Sequence, residues 1–278
     1  MQVYRGLEIL SQAPTAAERK AVKHHLVSFL PVEREYNVAD FIRDARRLIA
    51  SIHKRKRLPV VCGGTGLYFS SLMDGIFEGP GENPELRARL YKEADKAGPE
   101  VLHARLTGID PAAAAKIHPR DTRRMVRAFE VIESTGELFS VLKSRRSGLA
   151  QEMDAKVFGL AWPREMLYAR IDKRVRLMFK QGAVNEARKA LKHKVSKTAS
   201  GCIGLKEIGA HLDGKATLAE TQDLMAMNTR RFAKRQLTWF RRDKRIHWID
   251  MNTSTTAANA AAQIANPSLF GAEGRASG

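Results

Sequence analysis

"RLPVVCGGTGLY", residues 57–68, is the stretch whose reading decides the fold. A short apolar run, Leu58-Pro59-Val60-Val61-Cys62, leads directly into the glycine turn Gly63-Gly64-Thr65-Gly66. Upstream, over residues 38–53, Phe41, Ala45, Leu48, Ile49 and Ile52 recur with helical spacing on one face. Downstream, residues 67–73 read as a second helix. Helix, buried strand, glycine turn and helix, in that order, form the grammar of a parallel α/β sheet. Further strands are expected over residues 25–30, 157–162 and 245–250.

The glycine turn is not a Walker A loop, because no lysine follows the glycines at the P-loop spacing. It places backbone N–H groups and the Thr65 hydroxyl at the C-terminal edge of a parallel sheet, where open α/β folds bind ligands. A tight strand-to-helix turn with Thr65 as a helix cap accounts for the same residues equally well.

The chain of 278 residues carries 48 Lys and Arg against 30 Asp and Glu, a net charge of +18. An excess of that size points to a polyanionic partner, nucleic acid first; the competing reading is a protein kept soluble by charge. No apolar run approaches the ~20 residues needed to span a bilayer, and neither a signal peptide nor a lipidation motif is present, so no membrane partner is expected. Cys62 and Cys202 are too few for a disulfide framework or a zinc site, which suits a reducing, cytoplasmic setting.

From about residue 79 to about residue 150 the grammar changes to helix alone, divided by Pro99, Pro111 and Pro119, and the strand pattern resumes at Val157. The expected organisation is a discontinuous α/β core over residues 1–80 and 153–250, with a helical insertion over 81–152. The Ala-, Thr-, Ser- and Asn-rich tail over 251–278 reads as disordered.

Three arginine-rich segments need a reason. In "MAMNTRRFAKRQLTWFRR", residues 225–242, Arg230, Arg231, Lys234, Arg235, Thr238, Arg241 and Arg242 form one helical stripe. Phe232, Ala233, Leu237 and Phe240 fall on the other side, free to pack on a core, and no acidic residue from 228 to 242 laces the stripe. Phosphate binding is the favoured reading and a solvated helix face the alternative. In "HPRDTRRMVRAFEVIESTG", residues 118–136, Asp121 suits the N-cap and Gly136 the C-terminal stop. Arg123, Arg124 and Arg127 crowd the first turns, where free N–H groups and guanidinium groups together make an anion site; Arg123 or Arg124 simply pairing with Asp121 or Glu130 is the alternative. In "YARIDKRVRLMF", residues 168–179, Arg170 and Arg174 flank an ordinary amphipathic helix.

Together these stretches resemble the tRNA dimethylallyltransferase family, also called tRNA isopentenyltransferase. The matching pieces are MQVYRG (1–6), HHL (24–26), GGTGLY (63–68), HPRDTRR (118–124), IGLKE (203–207) and TRRFAKRQLTWFRR (229–242), in order along the chain. The resemblance implies a P-loop NTPase-like α/β core with a helical insertion that grips the anticodon stem-loop of tRNA. It implies transfer of a dimethylallyl group from dimethylallyl diphosphate to the N6 amine of the adenosine just 3′ of the anticodon (position 37), by a cytoplasmic monomer. Thr65, Arg124 and Arg174 then match catalytic positions. Met1, Gln2, Arg87, the segment Arg123, Arg124, Met125, Val126 and Arg127, and the loop Gly201, Cys202, Ile203, Gly204, Leu205 and Lys206 match tRNA-contacting positions. So does the run Lys234, Arg235, Gln236, Leu237, Thr238, Trp239, Phe240 and Arg241. Gly201 and Leu205 stand where some members carry Arg and Tyr, and Arg120 where Asn is usual.

Family members carry an Asp-Ser pair immediately before Met-Gln-Val-Tyr-Arg, the Asp acting as general base, and a P-loop with Mg²⁺ further upstream. Neither lies in these 278 residues. The expectation is therefore a chain without its first strand, P-loop and Mg²⁺ ligand, weakly active or inactive as written. A non-catalytic tRNA-binding remnant is the alternative. A third class, a relative that prenylates free AMP or ADP, would need no basic stripe.

Overall fold

The computed structural model describes residues 1–76, 79 and 81–265. Along the chain run helices α1 (Glu8–Ser11), α2 (Ala16–Ala21), α3 (Val38–Lys54), α4 (Gly66–Asp74), α5 (Pro84–Ala97) and α6 (Pro99–Ile109). There follow α7 (Pro111–Ala114), α8 (Thr122–Thr135), α9 (Phe139–Ser144), α10 (Leu149–Glu152) and strand β1 (Val157–Ala161). The chain continues through α11 (Arg164–Lys180), α12 (Ala183–Ala190), a 3₁₀ turn at Ala199–Gly201, α13 (Leu205–Leu212), α14 (Leu218–Phe240), strand β2 (Ile246–Asp250) and α15 (Ala257–Ala265). It divides into two compact units: Met1–Gly66 with the chain from Lys156 onward, and Leu67–Ala155.

In the first unit β1 and β2 pair in parallel, in register from Val157 opposite Ile246 to Ala161 opposite Asp250. Parallel neighbours need a long crossover, and α11 to α14 supply it. Gly159 lies opposite Trp248, and a β-carbon at Gly159 would stand 2.7 Å from the indole ring. The main core is helical: Val175 and Met178 of α11, Ala183, Ala187 and Ala190 of α12, Leu205 and Ile208 of α13, and Met225 and Ala226 of α14 close around Tyr4, Leu7 and Leu10. Tyr4 is 1% exposed, and its hydroxyl lies 2.5 Å from Thr198 Oγ1. The Glu186 carboxylate accepts the Ile9 and Leu10 N–H groups at 2.9 and 2.8 Å, supplying partners that the start of α1 lacks. At α3, Asn37 and Asp40 form a capping box, and Ile42, Ala45 and Ile49 turn inward.

Three expectations need correction. Residues 57–62 are not a buried strand: they form no strand pairing among the described residues, and Leu58, Val60 and Val61 are 84%, 73% and 58% exposed. An apolar run becomes a strand only where a neighbour accepts its hydrogen bonds, and none does so here. Residues 25–30 reduce to one parallel bridge between Tyr4 and Leu30. Leu26 and Ser28 adopt φ of 56° and 49°, in the left-handed region that breaks a pleated strand. The tail is ordered as far as residue 265: its alanines form α15, and Ala260 packs on Ile249 and Met251. Alanine has the highest helix propensity, which outweighs a small-residue composition; residues 266–278 lie outside the described residues.

The second unit is a helical cluster. Leu86, Leu90 and Ala94 of α5, Leu102 and Leu106 of α6, and Met125, Val126, Ala128 and Phe129 of α8 make one core. Asn83, Asp110 and Asp121 cap α5, α7 and α8, and Gly136 ends α8 at φ 71°. Glu130 of α8 is fully buried. It takes a two-pronged bond from Arg87 at 2.6 and 2.8 Å, a third from Arg127 at 3.2 Å, and the Asn83 N–H at 2.9 Å. Burial alone would raise its pKa, but these donors, Arg87 foremost, outweigh burial and hold the carboxyl below its ordinary value.

Removing one partner of a buried ion pair costs about 3–5 kcal/mol. Arg87 is 27% exposed and Arg127 stays in place in an Arg87→Ala variant, so about 2–3 kcal/mol is expected by urea unfolding at neutral pH. The folded-state pKa of Glu130 is depressed from 4.5, so its contribution is complete above that value and is lost as pH falls through the folded one. Glu130→Gln is expected to lose less stability than wild type between about pH 5 and about pH 3.

Candidate functional site

Helix α14 organises the site in the first unit. A capping box of Thr217 and Glu220 starts it, and Met225 and Ala226 anchor its first half in the core. Beyond that it carries the basic run. Arg230 ion-pairs with Asp172 of α11 and lies 5.9 Å from the Tyr168 ring. The stripe is therefore laced at this point, by an acid 58 positions away in the chain. Arg231, Lys234, Arg241 and Arg242 have no carboxylate partner among the described residues and are exposed. Phe232 is 40% exposed rather than packed on the core, and Arg235 sits over its ring at 5.7 Å. Leu237 and Phe240 are half-buried, and Thr238 is exposed.

The second half of α14 meets the glycine turn. Gln236 Nε2 donates to the Gly64 carbonyl at 2.9 Å. A β-carbon on Gly64 would fall 2.0 Å from Gln236 Nε2, and one on Gly66 2.4 Å from the Trp239 ring. Neither glycine has a positive φ, so the constraint is one of space. It is strict at Gly66, against the indole ring, and weaker at Gly64, where the flexible end of Gln236 can shift at the loss of its bond to the Gly64 carbonyl. Thr65 lies between them, exposed, and its hydroxyl makes no hydrogen bond among the described residues. It does not cap α4.

Arg174 lies on α11, whose Ile171, Val175 and Met178 face the core. Arg170 stacks on Trp162 at 4.3 Å, whereas Arg174, one turn on, is exposed with no carboxylate partner among the described residues.

The loop at 201–206 is more structural than its pattern suggests. Gly201 and Lys206 are exposed and Ile203 half-buried, but Cys202, Gly204 and Leu205 are buried. Burial pushes the Cys202 thiol up to about 12. Gly204 holds φ 110°, and a β-carbon there would meet Leu10 at 2.6 Å. Glu207 fastens the loop to α14: it accepts the Gly204 N–H at 2.8 Å and the Asn228 amide at 2.7 Å. The side chains of Cys202 and Leu205 pack in the core. Met1 is exposed beside Gly201, and the Gln2 amide is engaged by the Ser11 and Gln12 carbonyls.

In the second unit Arg123 is exposed and without a carboxylate partner among the described residues, and Arg124 stands 4.0 Å from Asp121. Met125 and Val126 are core residues, 0% and 1% exposed. Arg87 and Arg127 already neutralise Glu130, and Glu82 adds a second carboxylate to Arg87 at 2.7 Å. Spacing could not show the Arg87–Glu130 pair, because the two are 43 positions apart, whereas Arg127 and Glu130 lie one helical turn apart. Among the described residues no three His, Cys, Asp or Glu side chains converge as a metal site, so no residue is assigned to Mg²⁺. No helix among them is long and apolar enough to cross a membrane.

A family model described as IPP transferase matches residues 2–243. A tRNA dimethylallyltransferase of Geobacter sulfurreducens is 41% identical over 252 residues, covering 90% of this chain and 81% of that protein. One of Pelotomaculum thermopropionicum is 40% identical over 268 residues, covering 95% and 85%. Among solved structures, the tRNA isopentenylpyrophosphate transferase of Bacillus halodurans superposes with a TM-score of 0.65 at 36% identity, covering 95% of this chain and 84% of that one. A eukaryotic dimethylallyltransferase captured acting on tRNA gives a TM-score of 0.75 at 25% identity, covering 97% and 71%.

Gly66→Ala is expected to lower stability by about 1–3 kcal/mol, the cost of overpacking. The same substitution in a Trp239→Ala background removes the clash, so thermal unfolding of the double-mutant cycle should show a much smaller penalty.

Proposed function

The chain belongs to the IPP transferase family, and we propose that it transfers a dimethylallyl group from dimethylallyl diphosphate to the N6 amine of the adenosine just 3′ of the anticodon of tRNA. The observation that carries this reading is the packing of the cation-bearing end of α14 against the turn that presents Thr65. It fixes the turn that carries the exposed Thr65 hydroxyl on the same helix that bears the basic run.

The reaction joins N6 to C1 of the dimethylallyl group while the C1–O bond to diphosphate breaks. The bonding pair leaves on the diphosphate, and N6 gives up a proton to a base. Negative charge gathers on the leaving group, so preorganised cations and donors stabilise the transition state most. Arg174 is the candidate cation in the first unit, and Arg124 the one in the second. Thr65 is assigned to orient the amine or donate to a diphosphate oxygen. A base inside a stacked loop cannot reach such a turn, so the adenosine must be flipped out. Anticodon loops permit this, because single-stranded bases splay at lower cost.

RNA binding is assigned to the exposed cations without carboxylate partners: Lys206, Lys234, Arg241 and Arg123. Arg235, Trp239, Gly201 and Met1 flank them as lesser contacts, with Gln236, Leu237, Thr238 and Phe240 shaping the helix that carries the run. The core positions Met125, Val126, Cys202 and Leu205 support rather than touch. The helical unit is assigned to the anticodon stem-loop, and the first unit to a P-loop NTPase-like core.

Incubating the protein, as the cell makes it, with dimethylallyl diphosphate and tRNA should yield N6-isopentenyladenosine on nucleoside analysis. Arg174→Ala should lower the rate about 100-fold or more, the scale for losing one transition-state donor. Product formed from free AMP in preference to tRNA, or RNA binding without any product, would contradict the reading.

A further inference from the structure

The helical unit holds a cavity of about 410 Å³ that none of these assignments uses. Lys116, Lys143 and Arg146 line it, with Asp74 as the one carboxylate on its wall and Phe139 and Ala113 among its apolar surfaces. The three cations are brought together by buried structure. Asp110, 0% exposed, accepts the Ala113 N–H at 3.0 Å and the Ser140 N–H at 2.8 Å. This clamps α7 to the start of α9 and sets Lys116, just past α7, on the same cavity as Lys143 in the last turn of α9. Arg146 is folded back by its own Nε, which donates to the Lys143 carbonyl at 2.8 Å, leaving its terminal nitrogens for a ligand.

We propose that Lys116, Lys143 and Arg146 form a phosphodiester-binding site for the RNA backbone. The proposal rests on the reading that RNA is the substrate. None of the three has a carboxylate within ion-pair distance among the described residues. Lys143 is half-buried, and burial first, then Arg124, Arg146 and Lys116, push its ammonium pKa down. Gathering like charges in a partly dry cavity is unfavourable until an anion enters. A phosphate fits, because guanidinium and ammonium donors converge on its oxygens in charge-assisted bonds. The non-polar surface of Phe139 and Ala113 suits the ribose beside a phosphodiester better than the hydration shell of a free phosphate. Arg124 is near enough to act on Lys143, so the site extends the positive surface that α8 presents.

The test is binding of a fluorescent anticodon stem-loop by the full chain, as a function of salt. Lys143→Met keeps the aliphatic stem and removes the charge; Lys116→Glu alters an exposed position whose loss does not threaten the fold. Each variant is expected to weaken binding about five- to tenfold near physiological salt and to reduce the salt slope by about one. Lys192→Met, an exposed lysine of the first unit, is expected to change neither. Unchanged affinity and slope in both variants would overturn the site while leaving the substrate reading intact. Binding of inorganic phosphate in the cavity, with RNA affinity unaffected by the variants, would overturn it as well. Failure of the wild type to bind the stem-loop would overturn the substrate reading and this site together.

Discussion

Two side chains of α14 lie where a β-carbon on the glycine turn would have to go. Gln236 occupies the space beside Gly64 and Trp239 the space beside Gly66, and the Gln236 amide closes the contact through the Gly64 carbonyl. The indole at Gly66 leaves no room for a β-carbon, and at Gly64 a β-carbon would displace the end of Gln236 from its bond to the turn. The turn that presents Thr65 and the helix that presents the basic run are thereby one piece. Placement of the turn follows from it, while Lys234 and Arg241, by the period of the helix, lie on the face away from the turn.

Helix α14 bears this role against its own charge. Like charges one turn apart oppose a helix by about 0.2–0.5 kcal/mol per pair, whereas burying a methionine-sized side chain contributes about 1.5–3 kcal/mol. Met225 and Ala226, the Thr217 capping box and the Arg230–Asp172 pair therefore outweigh the repulsion further along. The same sorting runs through the molecule. Arg87, Arg127 and Arg230 are committed to carboxylates and hold the fold. Arg123, Arg174, Lys234 and Arg241 have no such partner among the described residues and remain available to an anion.

Much of this was legible in the sequence wherever the cause is local. The apolar period of α3, the Asp121 cap and Gly136 stop of α8, and the strands β1 and β2 were read from neighbouring residues. What failed depended on distant partners. The run at 58–62 has the residues of a buried strand but no hydrogen-bonded neighbour among those described. The left-handed backbone at Leu26 and Ser28 has no signature in a Leu or a Ser. The pairing of Arg87 with Glu130 has no local signature because Glu130 is remote in sequence, and the burial of Cys202 and Leu205 has none because the core they fill draws on α1 and α14. The cations at Lys116, Lys143 and Arg146 went unnoticed because they are not in one run, and only the fold gathers them.

The central claim is that unpaired cations hold RNA and paired ones hold the protein. Its most direct test compares Lys234→Gln/Arg241→Gln with Arg230→Gln, measuring salt-dependent anticodon stem-loop binding and thermal unfolding on each. The double variant should reduce the salt slope by about two and leave the melting temperature near that of wild type. Arg230→Gln should lower the melting temperature, at a cost of up to about 1 kcal/mol, and leave the slope unchanged. A reduced slope in Arg230→Gln with an unchanged slope in the double variant would contradict the account.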